Sequence, residues 1–184
     1  MADLFTALAA DHDRILGLLM QLTGGSADPA AGPKQRKAIA GRLIEELSRH
    51  EVAEEIVFWP LTRERLEDGE SMAEVALDQE SVGKRTLNEL IHTSPGNEEF
   101  ETLTHTVASQ LREHITYEQN VVWPKLQLKL SGEERAELGT RLARAKRLAP
   151  PRPHPHVPAE PALLRAVGPA AALADRARNA FHRG

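Results

Sequence analysis

The sequence predicts an all-α fold, an antiparallel up-down four-helix bundle with a short fifth helix and a Pro-rich C-terminal tail. Three observations carry this expectation. Apolar residues recur at helical spacing along nearly the whole chain, no segment alternates with the period of a strand, and the breaks between periodic segments are short and marked by Gly, Pro, Ser and Asp. Short connections make consecutive helices antiparallel neighbours.

The elements follow in order. Leu4, Leu8, Ile15, Leu19 and Leu22 form one face of a first helix that Gly24 and Gly25 end, and a loop with Pro29 and Pro33 follows. A second helix places Ile39, Leu43, Leu47, Val57 and Leu61 on one face and runs out near Asp68 and Gly69. Ser71 with Glu74 three residues later reads as the capping box of a third helix, which carries Met72, Ala76, Gly83, Leu87 and Leu90 and stops before Ser94-Pro95-Gly96. The fourth helix starts near Asn97, with Phe100, Leu103, Val107, Leu111 and Val121 inward. Ser131 with Glu134 repeats the capping pattern and opens a short fifth helix ending near Ala149. The bundle domain therefore spans residues 1–148, and 149–184 is a Pro-dense linker with a weakly amphipathic segment around Ala170–Phe181, read as a loosely docked or mobile tail.

Composition bounds the chemistry. Of 184 residues, 41% are hydrophobic and 27% charged, which suits a globular protein with a real core. The absence of Cys removes disulfides, thiolate nucleophiles and Cys-based metal sites, and fits a reducing cytoplasm. The N-terminus carries acids within its first apolar stretch and is not read as a signal peptide, and no run is long enough to span a membrane. A net charge of -4 with interleaved signs argues against nucleic acid as the main partner. Gly24–Asp28, GGSAD, lacks the Lys and spacing of a phosphate loop.

One line is written twice. HEVAEEIVFWP begins at His50 and HITYEQNVVWP at His114, 64 residues apart, with five of eleven positions identical. In the second helix the inward stripe reads Leu43, Leu47, His50, Glu54, Val57, Leu61, and in the fourth it reads Leu103, Val107, Leu111, His114, Glu118, Val121. Steps of three and four keep these residues on one face, so both His–Glu pairs fall where the core should be apolar. His12 interrupts the first helix's stripe in the same way. Burying a carboxylate without a partner costs several kcal/mol, and two in one core repel. A divalent or trivalent cation between them removes both objections. Imidazole and carboxylate donors suit iron, manganese or zinc, and paired Glu and His in a bundle core point to a two-iron centre. Trp59 and Trp123 are read as packing residues at one end of the bundle, where Pro60 and Pro124 kink or end the regular helix.

These residues resemble the hemerythrin-like, or HHE cation-binding, domain family over about residues 3–148. The resemblance rests on DHDRI at Asp11–Ile15 and on the two lines at His50–Pro60 and His114–Pro124. It implies an up-down four-helix bundle with a non-haem di-iron site, with Glu54 and Glu118 bridging and His12, His50 and His114 as terminal ligands. The family tends to carry a further His near the start of the third helix, where this chain has Gln79 and Glu80 instead. Glu80 lies on the inward stripe and is a candidate carboxylate ligand, with Gln79 as its neighbour alternative and a structural role equally open. Glu51, beside His50, is another candidate, against a reading as a solvated flank residue. His92 and His105 fall near the far end of the bundle, and His154 and His156 in the linker carry no assigned role.

The expected function is that of a carboxylate-rich di-iron protein handling oxygen, nitric oxide or peroxide, with catalase-like or redox-defence chemistry. Carboxylate in place of imidazole favours ferric iron, and a single iron, manganese or zinc ion is the variant expectation. The alternative is an iron- or oxygen-sensing protein without turnover. No nucleophile–base pairing or nucleotide fingerprint is visible.

Overall fold

The computed structural model describes residues 2–24 and 32–153. The expectations for Pro29, for His154 and His156 and for a helix around 170–181 lie outside the described residues. What is described is all helical, with no strand among the described residues.

Helix α1 (Leu4–Leu22) starts because Asp3, in an extended conformation, accepts a hydrogen bond from the Thr6 amide at 2.9 Å. It stops at Thr23, followed by Gly24 at φ 82°, a conformation that favours glycine. Helix α2 (Pro33–Ala53) takes Pro33 as its first residue rather than leaving it in the loop, since the first position needs no amide hydrogen. It runs without a break through a π-helical turn, π1 (Glu54–Phe58), into α3 (Trp59–Arg65). Helix α4 (Gly69–His92) begins three residues earlier than the Ser71 capping box predicts, with Asp68 at the cap position and no side-chain cap bond. Packing decides this start, because a Cβ on Gly69 would stand 2.1 Å from the Thr62 carbonyl oxygen. Helix α5 (Glu98–Tyr117), a second π turn, π2 (Glu118–Val122), and α6 (Trp123–Gln127) form the fourth rod. Helix α7 (Gly132–Leu148) opens with the expected capping box: Ser131 Oγ accepts from the Glu134 amide at 3.2 Å and Glu134 Oε2 accepts from the Ser131 amide at 2.9 Å. It packs across α1, α2 and π1. The start of the Pro-rich segment is packed too, with Ala149, Pro151 and Pro153 buried.

The π turns correct one expectation. Pro60 and Pro124 do not end their rods: each is the second residue of an α-helix, α3 or α6, entered directly from a π turn. Each lacks an amide hydrogen and crowds the carbonyl four residues back. The helix widens there instead, so that the Trp59 amide bonds to the Glu54 carbonyl and the Trp123 amide to the Glu118 carbonyl, five residues back. The wider turn shifts the facing register by one residue. Val121, expected inward, is 38% exposed, and Val122 is fully buried in its place.

The core divides into two apolar clusters. One gathers Leu4, Phe5, Leu8, Phe58, Trp59, Trp123, Leu126 and Leu142 at the α7 end. The other gathers Ile15, Leu19, Leu43, Leu47, Leu87, Leu90 and Phe100 at the opposite end. Between the clusters lies a polar layer. No helix among the described residues is long and apolar enough to cross a membrane.

Candidate metal centre

The polar layer takes His12 from α1, His50 from the last turn of α2, Glu80 from α4 and His114 from the last turn of α5. Glu54 and Glu118 are the first residues of π1 and π2. All six are 5% exposed or less. They form two donor sets, His12–His50–Glu54–Glu118 and Glu54–Glu80–His114, within each of which one donor atom per residue lies within 4.8 Å of the others. Glu54 belongs to both. Its Oε1 is 3.4 Å from His50 Nε2 and its Oε2 3.9 Å from His114 Nε2. Glu118 also reaches both ways, with Oε2 3.0 Å from His12 Nε2 and Oε1 3.2 Å from His114 Nε2.

These atoms fit a cation. Nε2 of all three imidazoles, both oxygens of Glu54 and Glu118, and Oε2 of Glu80 are buried without a hydrogen-bond partner. Buried polar atoms are almost always partnered, so a convergent group of orphans calls for an explanation. Nitrogen and carboxylate oxygen are the donor types that first-row transition metals take.

The electrostatics point the same way. Burial pushes the Glu54 carboxyl well above the ordinary range, and the Glu118 charge adds to it. Burial likewise raises Glu80, against the pull of Lys84. Burial opposes ionisation of Glu118, but His114 and His12 outweigh it and hold that carboxyl well below its usual value. Burial also disfavours charge on His114, yet the carboxylates of Glu118, Glu80 and Glu51 push it up to about 9. Without a cation the two spanning carboxyls are pushed in opposite directions, Glu54 toward its protonated form and Glu118 toward its ionised one. A metal ion lets both ionise.

A surrounding layer orients the donors. Asp11 Oδ2 is 3.6 Å from His50 Nδ1, and Asp11 is in turn paired with Arg14 and with Lys146 Nζ of α7 at 2.8 Å. Burial alone would raise the Asp11 carboxyl, but His50 and Lys146 bring it down to about 2. The Gln119 amide lies 3.0 Å from His12 Nδ1, and Gln79 Oε1 lies 3.2 Å from His114 Nδ1. Gln79 therefore supports His114, and it is Glu80 that stands among the donors. Trp59 Nε1 donates to Glu80 Oε1 at 2.7 Å. Lys84 Nζ lies 3.5 Å from Glu80 Oε2 and is paired with Glu55. The Trp123 ring stacks on His12 at 5.4 Å between centroids.

Six of the seven residues singled out in the sequence come together. Glu51 is buried at 4% exposure, not a solvated flank, yet it joins neither donor set. Burial, opposed by Lys84, pushes its carboxyl up to about 7. His92 and His105 are exposed, away from the layer. Sequence reasoning missed the part both tryptophans play at the centre. Their repeated place, five residues after Glu54 and after Glu118, was the available signal. It also missed Lys84, Gln119 and the Asp11–Lys146 pair.

A helical bundle with a buried layer of histidines and shared carboxylates between two apolar clusters defines a cation-binding helical protein. The chain belongs to the hemerythrin HHE cation-binding domain family, whose family model matches residues 3–126. It is similar to an uncharacterized hemerythrin-like protein of Schizosaccharomyces pombe, 30% identical over 139 residues that cover 75% of this chain and 68% of that one. It is also similar to a DNA nickase of Nostoc, 24% identical over 136 residues, 74% of this chain but 37% of the Nostoc protein. No solved structure matches the chain. Helix α7, which carries Lys146, lies beyond the matched segment.

Proposed function

We propose that the chain holds two iron ions, one at each donor set, and that the loaded centre handles a small ligand of the oxygen, nitric oxide or peroxide class. The observation that supports this is the sharing of carboxylates: Glu54 belongs to both sets, and the two oxygens of Glu118 face His12 and His114. His12 and His50 would hold the ion on one side, His114 and Glu80 the ion on the other. When bound, iron supplies Lewis acidity and one-electron redox chemistry, which the chain's own side chains lack.

The protein's part is positioning and environment. Gln119 and Gln79 hold His12 and His114 and Trp59 holds Glu80, while the Asp11 carboxylate stands 3.6 Å from the His50 ring and the Lys84 ammonium 3.5 Å from Glu80. The apolar clusters on either side exclude bulk water and strengthen every charge interaction between them. Three carboxylates against three imidazoles place more negative charge at the centre than an imidazole-rich set, which favours the ferric state. A cysteine-free chain suits work in a reducing cytoplasm, where removal of peroxide or nitric oxide would serve defence.

Elemental analysis of untagged protein, paired with its visible spectrum, tests the reading. About two irons per chain with near-ultraviolet bands, followed by consumption of hydrogen peroxide or nitric oxide, is the expected result for a di-iron centre. Two irons with no turnover of either ligand would move the assignment to iron binding or sensing. Protein that takes up no metal and keeps the same helicity with and without iron would overturn it.

A further inference from the structure

One gap leads from the surface to the Glu80 side of the polar layer. It is a cavity of about 20 Å³ between α2, α4 and α5. Half-buried Gln79, Gly83 and Gln110 stand at its outer edge, buried Glu51, Glu80 and His114 lie at its inner end, and the rest of the lining is aliphatic. That volume holds one water-sized molecule. Two observations mark it as built for a ligand rather than left by poor packing. Glu51, 4% exposed, has Oε2 without a hydrogen-bond partner, and Gln110 Oε1 is equally unpartnered. The gap is also open for want of one side chain: Gly83 sits mid-helix, with no turn or positive φ to require glycine, and an added Cβ would meet only Glu51 Oε1, at 3.9 Å. Gly17 and Gly41 are equally unforced mid-helix glycines, but neither lines this cavity, and at Gly83 the missing side chain is what leaves the gap open.

We infer that the gap over Gly83 is the entry route by which a ligand of diatomic or peroxide size reaches the Glu54–Glu80–His114 side, and that Glu51 lines this route instead of ligating metal. The inference rests on the iron reading above. The small volume restricts the route to small molecules, and a side chain placed at position 83 would narrow it.

The test is a graded series, Gly83→Ala, Gly83→Val and Gly83→Leu, with Glu51→Gln beside it, all in the full-length iron-loaded protein. Four readouts are compared: iron per chain, melting temperature, the rate of iron uptake by chelator-stripped protein, and the association rate of nitric oxide followed by the visible spectrum. The expected result is unchanged iron per chain in all four variants, including Glu51→Gln, and melting temperatures equal to or above the parent for the Ala form. Nitric oxide association should fall stepwise with side-chain volume, by about tenfold or more for Leu, as an obstructed access step requires. One rate across the series, with iron retained, overturns the route while leaving the iron centre standing. Loss of iron in the Ala variant shows that Gly83 is a packing residue and overturns it as well. Loss of iron in Glu51→Gln makes Glu51 a ligand and refutes its lining role. A parent protein without iron removes both the route and the reading beneath it.

Discussion

Replacing Lys84 with Met tests whether the polar layer is an electrostatic structure waiting for a cation. The Lys84 side chain is 12% exposed, its ammonium is paired with Glu55 and lies 3.5 Å from Glu80 Oε2, and both carboxylates are 1% exposed. Methionine keeps the unbranched stem and removes only the charge, so packing is nearly conserved. Two buried carboxylates then lack their cation, and breaking such a pair costs about 3–5 kcal/mol. For metal-free protein at neutral pH the urea midpoint should drop by roughly 1–3 M. Near pH 5 the loss should shrink, because the Glu80 carboxyl, raised by burial, can relieve it by taking a proton. With iron bound, Glu80 has a second cation, and the loss should be about half or less. Urea titrations of parent and Lys84→Met, each with chelator and with iron, give all of these differences. A loss below about 1 kcal/mol in chelator at neutral pH would refute the reasoning, since surface pairs are worth no more than that.

Above about pH 7, where the opposing contribution of His50, lowered by burial, is complete, chelated protein should lose stability as pH rises. Glu51, Glu54 and Glu80 have raised carboxyl pKa values in the fold, so their contribution is complete below the ordinary value of 4.5 and is lost as pH climbs, for Glu51 through about 7. His114 adds a contribution complete below 6.5 and lost through about 9. Iron binds the deprotonated donors, so the gap between iron-loaded and chelated melting temperatures should widen from pH 5 to 8, and a constant gap would contradict the assignment. The π2 register predicts that Val122→Ala costs about 1–3 kcal/mol, while Val121→Ala stays within about 0.5 kcal/mol; equal costs by urea denaturation would show a regular helix there. Asp11→Asn should lower iron affinity by about 10–100-fold while the helical circular dichroism is kept, as loss of a His-orienting carboxylate does, and chelator competition measures it.

The positions that were legible in the sequence are those whose spacing alone fixes a face. His50–Glu54 and His114–Glu118 continue stripes of three- and four-residue steps, and a single helix is enough to place them inward. Glu80 was legible for the same reason on α4. What spacing cannot show is a change in helical pitch. Val121 was expected inward because a constant 3.6-residue turn puts it there, and π2 moved that place to Val122. Contacts between distant segments were equally hidden. Asp11 and Lys146 sit near opposite ends of the described chain, and Lys84 four residues after Glu80 reads as an ordinary surface pair until Glu55 arrives from π1. Gly83 says nothing by itself, since an empty space has no sequence signature.

The wide turns change what kind of mutation the protein can absorb. Gln119, Asn120 and Val121 face solvent, and most single replacements of Asn120 or Val121 should pass unnoticed. Deleting any one of the three is another matter. It would close the wide turn to a regular one, which keeps Val122 and Trp123 on their present faces but sets the Pro124 ring against the carbonyl four residues back. The same holds for the rod of α2 and α3 at Ile56, where closing the turn sets the Pro60 ring against the carbonyl four residues back. At Asn120, Val121 and half-buried Ile56 it is the number of residues, more than their identity, that sets the helical pitch, so single-residue deletions there would probe the wide turns where substitutions stay silent.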